Sequence, residues 1–85
     1  ESLTVLPGGV APEIIQQALE QFDTLVLMKA GKALPWLVPL LQERQLLEHT
    51  TMLQNIGMEG EWIGTPTAES TSYFTTLIIR HSQNK

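Results

Sequence analysis

Residues Thr24-Leu25-Val26-Leu27-Met28 form a continuous apolar and β-branched run that no polar residue interrupts from Leu25 to Met28. A strand covered on one face alternates polar with apolar, whereas one covered on both faces reads as such a run. The run therefore predicts a central strand with neighbours on either side. It stops at Lys29-Ala30-Gly31-Lys32, and a helical pattern begins just after. That places the loop at the carboxyl end of a buried strand, the edge of an open α/β sheet where ligands bind.

The flanking stretches supply the rest of a sheet. Leu3-Thr4-Val5-Leu6 reads as a short strand closed by the turn residues Pro7-Gly8-Gly9. Pro12 suits the first position of a helix, where an N–H would go unbonded, and Glu13 complements the dipole of the first turn. Ile14, Ile15, Ala18, Leu19 and Phe22 then recur at helical spacing, opposite Gln16, Gln17, Glu20 and Gln21. Strand, helix and buried strand make a βαβ unit, whose crossover should be right-handed. Leu34, Leu37, Val38, Leu40 and Leu41 form a second apolar stripe that Pro35 and Pro39 interrupt. A start near Trp36 keeps Pro39 among the first four N–H groups, where it breaks no hydrogen bond and leaves a kinked or tightened first turn. Leu46-Leu47 closes this helix. Thr50 to Asn55 returns as a strand, Gly57 and Gly60 bracket a bend, and Glu61-Trp62-Ile63 forms a short edge strand. Gly64 to Ser72 is a polar loop, Phe74 to Ile79 the last strand, and His81 to Lys85 a polar tail. The reading is one α/β domain of two or three layers, with a mixed sheet of about five strands and helices packed on it.

Composition narrows the class. Among 85 residues, 42% are apolar and 16% charged, so a packed core is expected rather than disorder. The absence of cysteine excludes disulfides and Cys-based zinc sites. A net charge of -4, with five Lys and Arg spread singly, argues against partnership with nucleic acid or an anionic membrane. No apolar stretch approaches the ~20 residues of a membrane span, and no signal peptide opens the chain. A cytoplasmic location is the default. The chain starts at Glu1 and enters a strand almost at once, as a segment of a longer protein would.

Taken in order, LTVLPG, TLVLMKAGKALP, QNIGMEGEWI and SYFTTLII resemble the carboxyl-terminal domain of the tetrapyrrole (corrin and porphyrin) methylase family. Within it they are most similar to the precorrin-2 and cobalt-factor II C20-methyltransferases of cobalamin biosynthesis. The resemblance spans nearly the whole chain. Met28-Lys29 and Gly57-Met58-x-Gly60-Glu61 are its most specific elements. Relatives commonly carry Pro where Ser72 stands and Glu-Arg where Gln54-Asn55 stands. The resemblance implies a fold of two α/β domains, with S-adenosyl-L-methionine held in the cleft between them and the tetrapyrrole across the same trough. Residues 1 to 85 would then be the second domain, with the amino-terminal domain absent. No Gly-x-Gly is present, so the family's Gly-rich loop is not found here.

The same resemblance implies site residues. Met28, Lys29 and Ala30 would border the adenosine of the cofactor. The backbone of Asn55, Ile56 and Gly57 would bond the adenine, and Tyr73 with Phe74 would close the pocket. An adenine needs apolar faces and a few backbone partners, which strand ends offer. The strands ending at Met28 and near Asn55 should run parallel, with Tyr73 opening an antiparallel last strand from the same edge. Read without the resemblance, Met28 is ordinary core and Gly57 a bulge or turn residue. Lys29 and Lys32 could meet tetrapyrrole carboxylates, although Lys32 reads better as part of a solvated loop. Glu59 and Glu61 stand two apart near a bend with nothing to make them an acid and base pair, and a structural role suits Glu61 better. His49 and His81 lack metal-ligand spacing, so no metal is expected, and Asp23 is the only aspartate. No catalytic residue emerges. The implied function is part of a methyltransferase whose partners are precorrin-2 or cobalt-factor II and its own amino-terminal domain. The competing class is a free-standing α/β module that binds a ligand or partner without catalysis. The sequence leaves the oligomeric state open, a homodimer included.

Overall fold

The computed structural model describes residues 2–68 and 74–80. Five strands form one mixed sheet in the order β1-β2-β5-β3-β4. They are β1 (Leu3–Pro7), β2 (Thr24–Met28), β3 (Thr50–Gln54), β4 (Trp62–Gly64) and β5 (Thr75–Arg80). β1 pairs parallel with β2, while β5 lies antiparallel to both β2 and β3. β1, β2 and β3 therefore point one way, and β4, antiparallel to β3, points with β5. The expected α/β class and five-stranded mixed sheet are both present, and β2 lies inside the sheet.

Two helices, α1 (Pro12–Gln21) and α2 (Leu34–Glu43), join the three parallel-pointing strands. Both crossovers advance across the sheet in the same direction, and crossovers of one hand that advance together leave their helices on one face. The core matches this. Ile15 and Leu19 of α1, Leu34, Leu37 and Leu41 of α2, and Leu25, Leu27, Met52, Leu77 and Ile79 of the sheet form one buried cluster. The architecture is two-layered among the described residues, which overturns the expectation that the Thr24–Met28 run is buried on both faces. Leu25 and Leu27 are buried, but Val26 is half-buried and Met28 exposed. Ile14, expected on the packed face of α1, is exposed as well.

The second helix departs from its sequence reading at both ends. A 3₁₀ turn over Gly31–Ala33 leads directly into α2 at Leu34, two residues before the expected start. Pro39 consequently lies inside the helix, where it denies the Pro35 carbonyl its usual donor. Both prolines are exposed, so water can serve that carbonyl. At the other end the chain leaves the helix before Leu46-Leu47. The Gln45 N–H donates to the Gln42 carbonyl (3.1 Å) and the Leu46 N–H to the Leu41 carbonyl (2.8 Å). With Gln45 at φ 62, this is the Schellman pattern, which closes a helix through a left-handed residue. A second 3₁₀ turn, Leu47–His49, then enters β3.

Glycine is the usual occupant of that left-handed position, and a non-glycine residue there carries about 1–2 kcal/mol of strain. Gln45→Gly should stabilise the domain by about 0.5–1 kcal/mol, since the greater freedom of glycine in the unfolded chain offsets part of the relief. Urea denaturation measures it, and a destabilised variant would contradict the assigned helix end.

Candidate functional site

The carboxyl ends of β1, β2 and β3 open on one edge of the sheet, where β5 begins. Hydrogen bonds knit this edge together. The Gly8 N–H after β1 donates to the Met28 carbonyl at 2.7 Å. On either side of the start of β5, the Ala30 N–H donates to the Thr75 carbonyl (2.8 Å) and the Asn55 N–H to the Phe74 carbonyl (3.0 Å). Gln54 adds a side-chain bond from Nε2 to Thr75 Oγ1 at 3.3 Å, satisfying a fully buried hydroxyl.

Lys29 and Asn55 hold equivalent places, each one residue past its strand, and both are left-handed at φ 54 and 53. Left-handed non-glycine residues are uncommon and gather where a scaffold fixes an unusual backbone path. After Asn55 the chain folds into a tight turn with Gly57 at φ 79 and Gly60 at φ 86. Three bonds hold it: Met58 N–H to the Asn55 carbonyl (2.9 Å), Asn55 Nδ2 to the Gly60 carbonyl (3.3 Å), and Gly57 N–H to Glu61 Oε1 (3.1 Å). Glu61 thus has the structural role its sequence context suggests.

Of the residues expected at the site, the structure brings Met28, Lys29, Ala30, Asn55, Ile56, Gly57 and Phe74 to this edge, while Tyr73 lies outside the described residues. Met28, Ile56 and Phe74 are 46%, 50% and 51% exposed, so three large apolar side chains face outward at one edge of the sheet. Met28 is therefore not ordinary core. Ala30 is fully buried and lies beneath the edge rather than on it. The N–H groups of Asn55 and Gly57 already have partners, whereas the backbone of Ile56 has none among the described residues. Ile56 is consequently the best placed of the three to bond a heterocycle through its backbone. At the amino end of β3, on the opposite edge, a recess of about 560 Å³ is lined by Gln42, Gln45, Leu47, Glu48 and Thr65. Its polar residues are exposed and converge on no buried group.

Sequence reasoning missed Gly8 as a site residue. Pro7-Gly8-Gly9 reads as a turn, but a Cβ at Gly8 would stand 2.6 Å from Ala30 Cα and 2.9 Å from the Lys29 carbonyl oxygen. The turn glycine is thus what lets β1 pack against the loop after β2. Met58 and Trp62, also exposed at or near the Asn55 turn, were likewise not singled out as site residues. Compared with known protein families and with curated proteins, the chain matches no family model and no individual protein. Among the described residues, no three His, Asp or Glu side chains group as metal ligands, and no helix is long and apolar enough to cross a membrane.

Gly8→Ala should displace the Lys29-Ala30 loop and destabilise the domain by about 1–3 kcal/mol, the range for a forced steric insertion. Thermal denaturation and the amide shifts of Lys29 and Ala30 report the two effects. An unperturbed loop would show that the close approach is not fixed.

Proposed function

We propose that these residues form the carboxyl-terminal, cofactor-side domain of an S-adenosyl-L-methionine-dependent methyltransferase of the tetrapyrrole methylase family. The reaction is transfer of a methyl group to C20 of precorrin-2 or cobalt-factor II in cobalamin biosynthesis, in the cytoplasm. The ordered sequence resemblance motivates this reading. The observation that carries it furthest is the meeting of Met28, Ile56 and Phe74 at one sheet edge, although these residues are far apart in sequence.

In this reading Met28 and Phe74 offer apolar surface to the adenine and Ile56 its backbone, with Tyr73 completing the pocket. Lys29 and Ala30 shape the loop that borders the ribose. The cofactor supplies an electrophilic methyl on a sulfonium, and transfer requires alignment of carbon nucleophile, methyl and leaving sulfur. Positioning of this kind can supply a large part of a rate enhancement. The domain contributes orientation, while the other half of the cleft lies in the amino-terminal domain.

The test uses the full-length protein. S-adenosylhomocysteine should bind by calorimetry, and precorrin-2 and cobalt-factor II assayed in parallel should reveal methyl transfer to at least one. Gly57→Val places a β-branched residue at φ 79, costing roughly 1–2 kcal/mol at a left-handed position. Relief by shifting the turn should move Ile56 and weaken S-adenosylhomocysteine about tenfold, equivalent to about 1.4 kcal/mol. Unchanged affinity in a folded variant, or no binding by the parent protein, would overturn the assignment.

A further inference from the structure

The chain has three methionines and no cysteine, so thioethers are its only sulfur. Their placement divides them. Met52 is 1% exposed in the core, opposite Leu77 on β5, whereas Met28 and Met58 are 46% and 49% exposed and both stand at the carboxyl edge. Neither owes its exposure to a loose segment. The Met28 carbonyl accepts the Gly8 N–H at 2.7 Å, and Lys29 turns left-handed directly after it. The Met58 N–H donates to the Asn55 carbonyl at 2.9 Å, inside the turn that Glu61 closes. The candidate site therefore carries both of the thioethers that solvent reaches, and the core holds the third.

We propose that Met28 and Met58 are sites of oxidation to methionine sulfoxide by hydroperoxides, and that the sulfoxide at Met28 closes the edge to its ligand. The first half stands on the placement of the three residues. The second rests on the functional reading above, in which Met28 gives the adenine an apolar face. In the step, a lone pair on Sδ attacks one peroxide oxygen, and an S–O bond forms as the O–O bond breaks. The hydroxide released takes the proton left on the transferred oxygen and departs as water. Sulfur loses two electrons and the peroxide gains them.

The consequence follows from the change in polarity. A thioether is soft and apolar and lies against a flat ring at no cost in hydrogen bonds. A sulfoxide is polar and hydrated, so covering it with a heterocycle strips hydrogen bonds that the ring face does not replace. Met58 lies in the turn but outside the proposed adenine contacts, so its oxidation marks exposure, and Met28 carries the loss of binding. Because Met52 is shielded, the sheet and core stay intact while the edge changes. Enzymatic sulfoxide reduction with thiols restores the thioether, the oxygen leaving as water while two thiols become a disulfide.

Hydrogen peroxide added to the 85-residue protein, followed by mass spectrometry of the peptides that carry each methionine, tests the first half. Met28 and Met58 should oxidise nearly as fast as free methionine. Met52 should lag by a factor on the order of 100, as for a group reached only when the core opens. Circular dichroism should be unchanged once Met28 and Met58 are converted. Oxidation of Met52 in step with the other two, or a resistant Met28, would overturn the proposal.

The ligand effect is read in the full-length protein after Met28 has been converted. S-adenosylhomocysteine is itself a thioether, so it is added after catalase has removed the peroxide, and it should bind about tenfold more weakly than before treatment. Methionine sulfoxide reductase should return the affinity. Met28→Leu, close in volume, should keep its affinity through the treatment, and Met58→Leu should lose it as the parent does. Met28→Gln should imitate the sulfoxide without oxidant, which covers the case of a Met28→Leu variant that does not fold. Full affinity with Met28 converted, or loss of affinity in treated Met28→Leu, would overturn the role of Met28 and leave the methyltransferase reading in place. A parent protein that binds no S-adenosylhomocysteine before treatment removes that reading and the ligand effect together, while the oxidation pattern still stands.

Discussion

Insertion of β5 between β2 and β3 is the constraint on which the rest of the structure depends. It separates two strands that point the same way and pairs antiparallel with each, through Leu25 to Ile79 on one side and Thr50 to Ile79 on the other. The start of β5 is thereby fixed between the ends of β2 and β3, and the Ala30 and Asn55 N–H groups bond to consecutive carbonyls there. A loop edge built on paired backbone is more rigid than one built on side chains alone, and rigidity is what a ligand-orienting surface requires. The left-handed residues Lys29 and Asn55 follow from the same arrangement, because each chain must turn sharply as its strand ends beside β5.

One-sidedness follows from topology. Both crossovers advance from β1 toward β3, so both helices fall on one face, and the core of Leu and Ile residues forms there alone. A doubly wound sheet reverses direction between helical crossovers and covers both faces; here both helices belong to crossovers that advance the same way, and the chain turns back between β4 and β5. The apolar residues left on the other face explain why the β2 run reads as if it were covered on both sides.

The major elements were legible because their signals are local. Pro12 marks the start of α1, the Leu25 to Met28 run marks β2, and the Gly57 and Gly60 pair marks the turn. The prediction that strands ending at Met28 and near Asn55 run parallel, with an antiparallel last strand, agrees with the sheet. Less legible were features set by neighbours. Pro39 lies within α2 because the Gly31–Ala33 turn starts that helix early, and Gln45 ends it in a conformation usually left to glycine. Nothing in Pro7-Gly8-Gly9 alone shows that Gly8 must approach Ala30. At the candidate site, the sequence could propose which residues meet but not which backbone groups remain available, since this depends on Glu61 reaching Gly57 and Phe74 reaching Asn55.

The proposed methyltransferase reading puts an adenosine at the carboxyl edge and not in the opposite recess. Amide and methyl chemical shifts of the isotopically labelled full-length protein during titration with S-adenosylhomocysteine test it most directly. Saturable shifts are expected at Met28, Ile56 and Phe74, with Gln42, Gln45 and Thr65 unmoved. Shifts confined to Gln42, Gln45, Glu48 and Thr65, or none at the three edge residues, would contradict it.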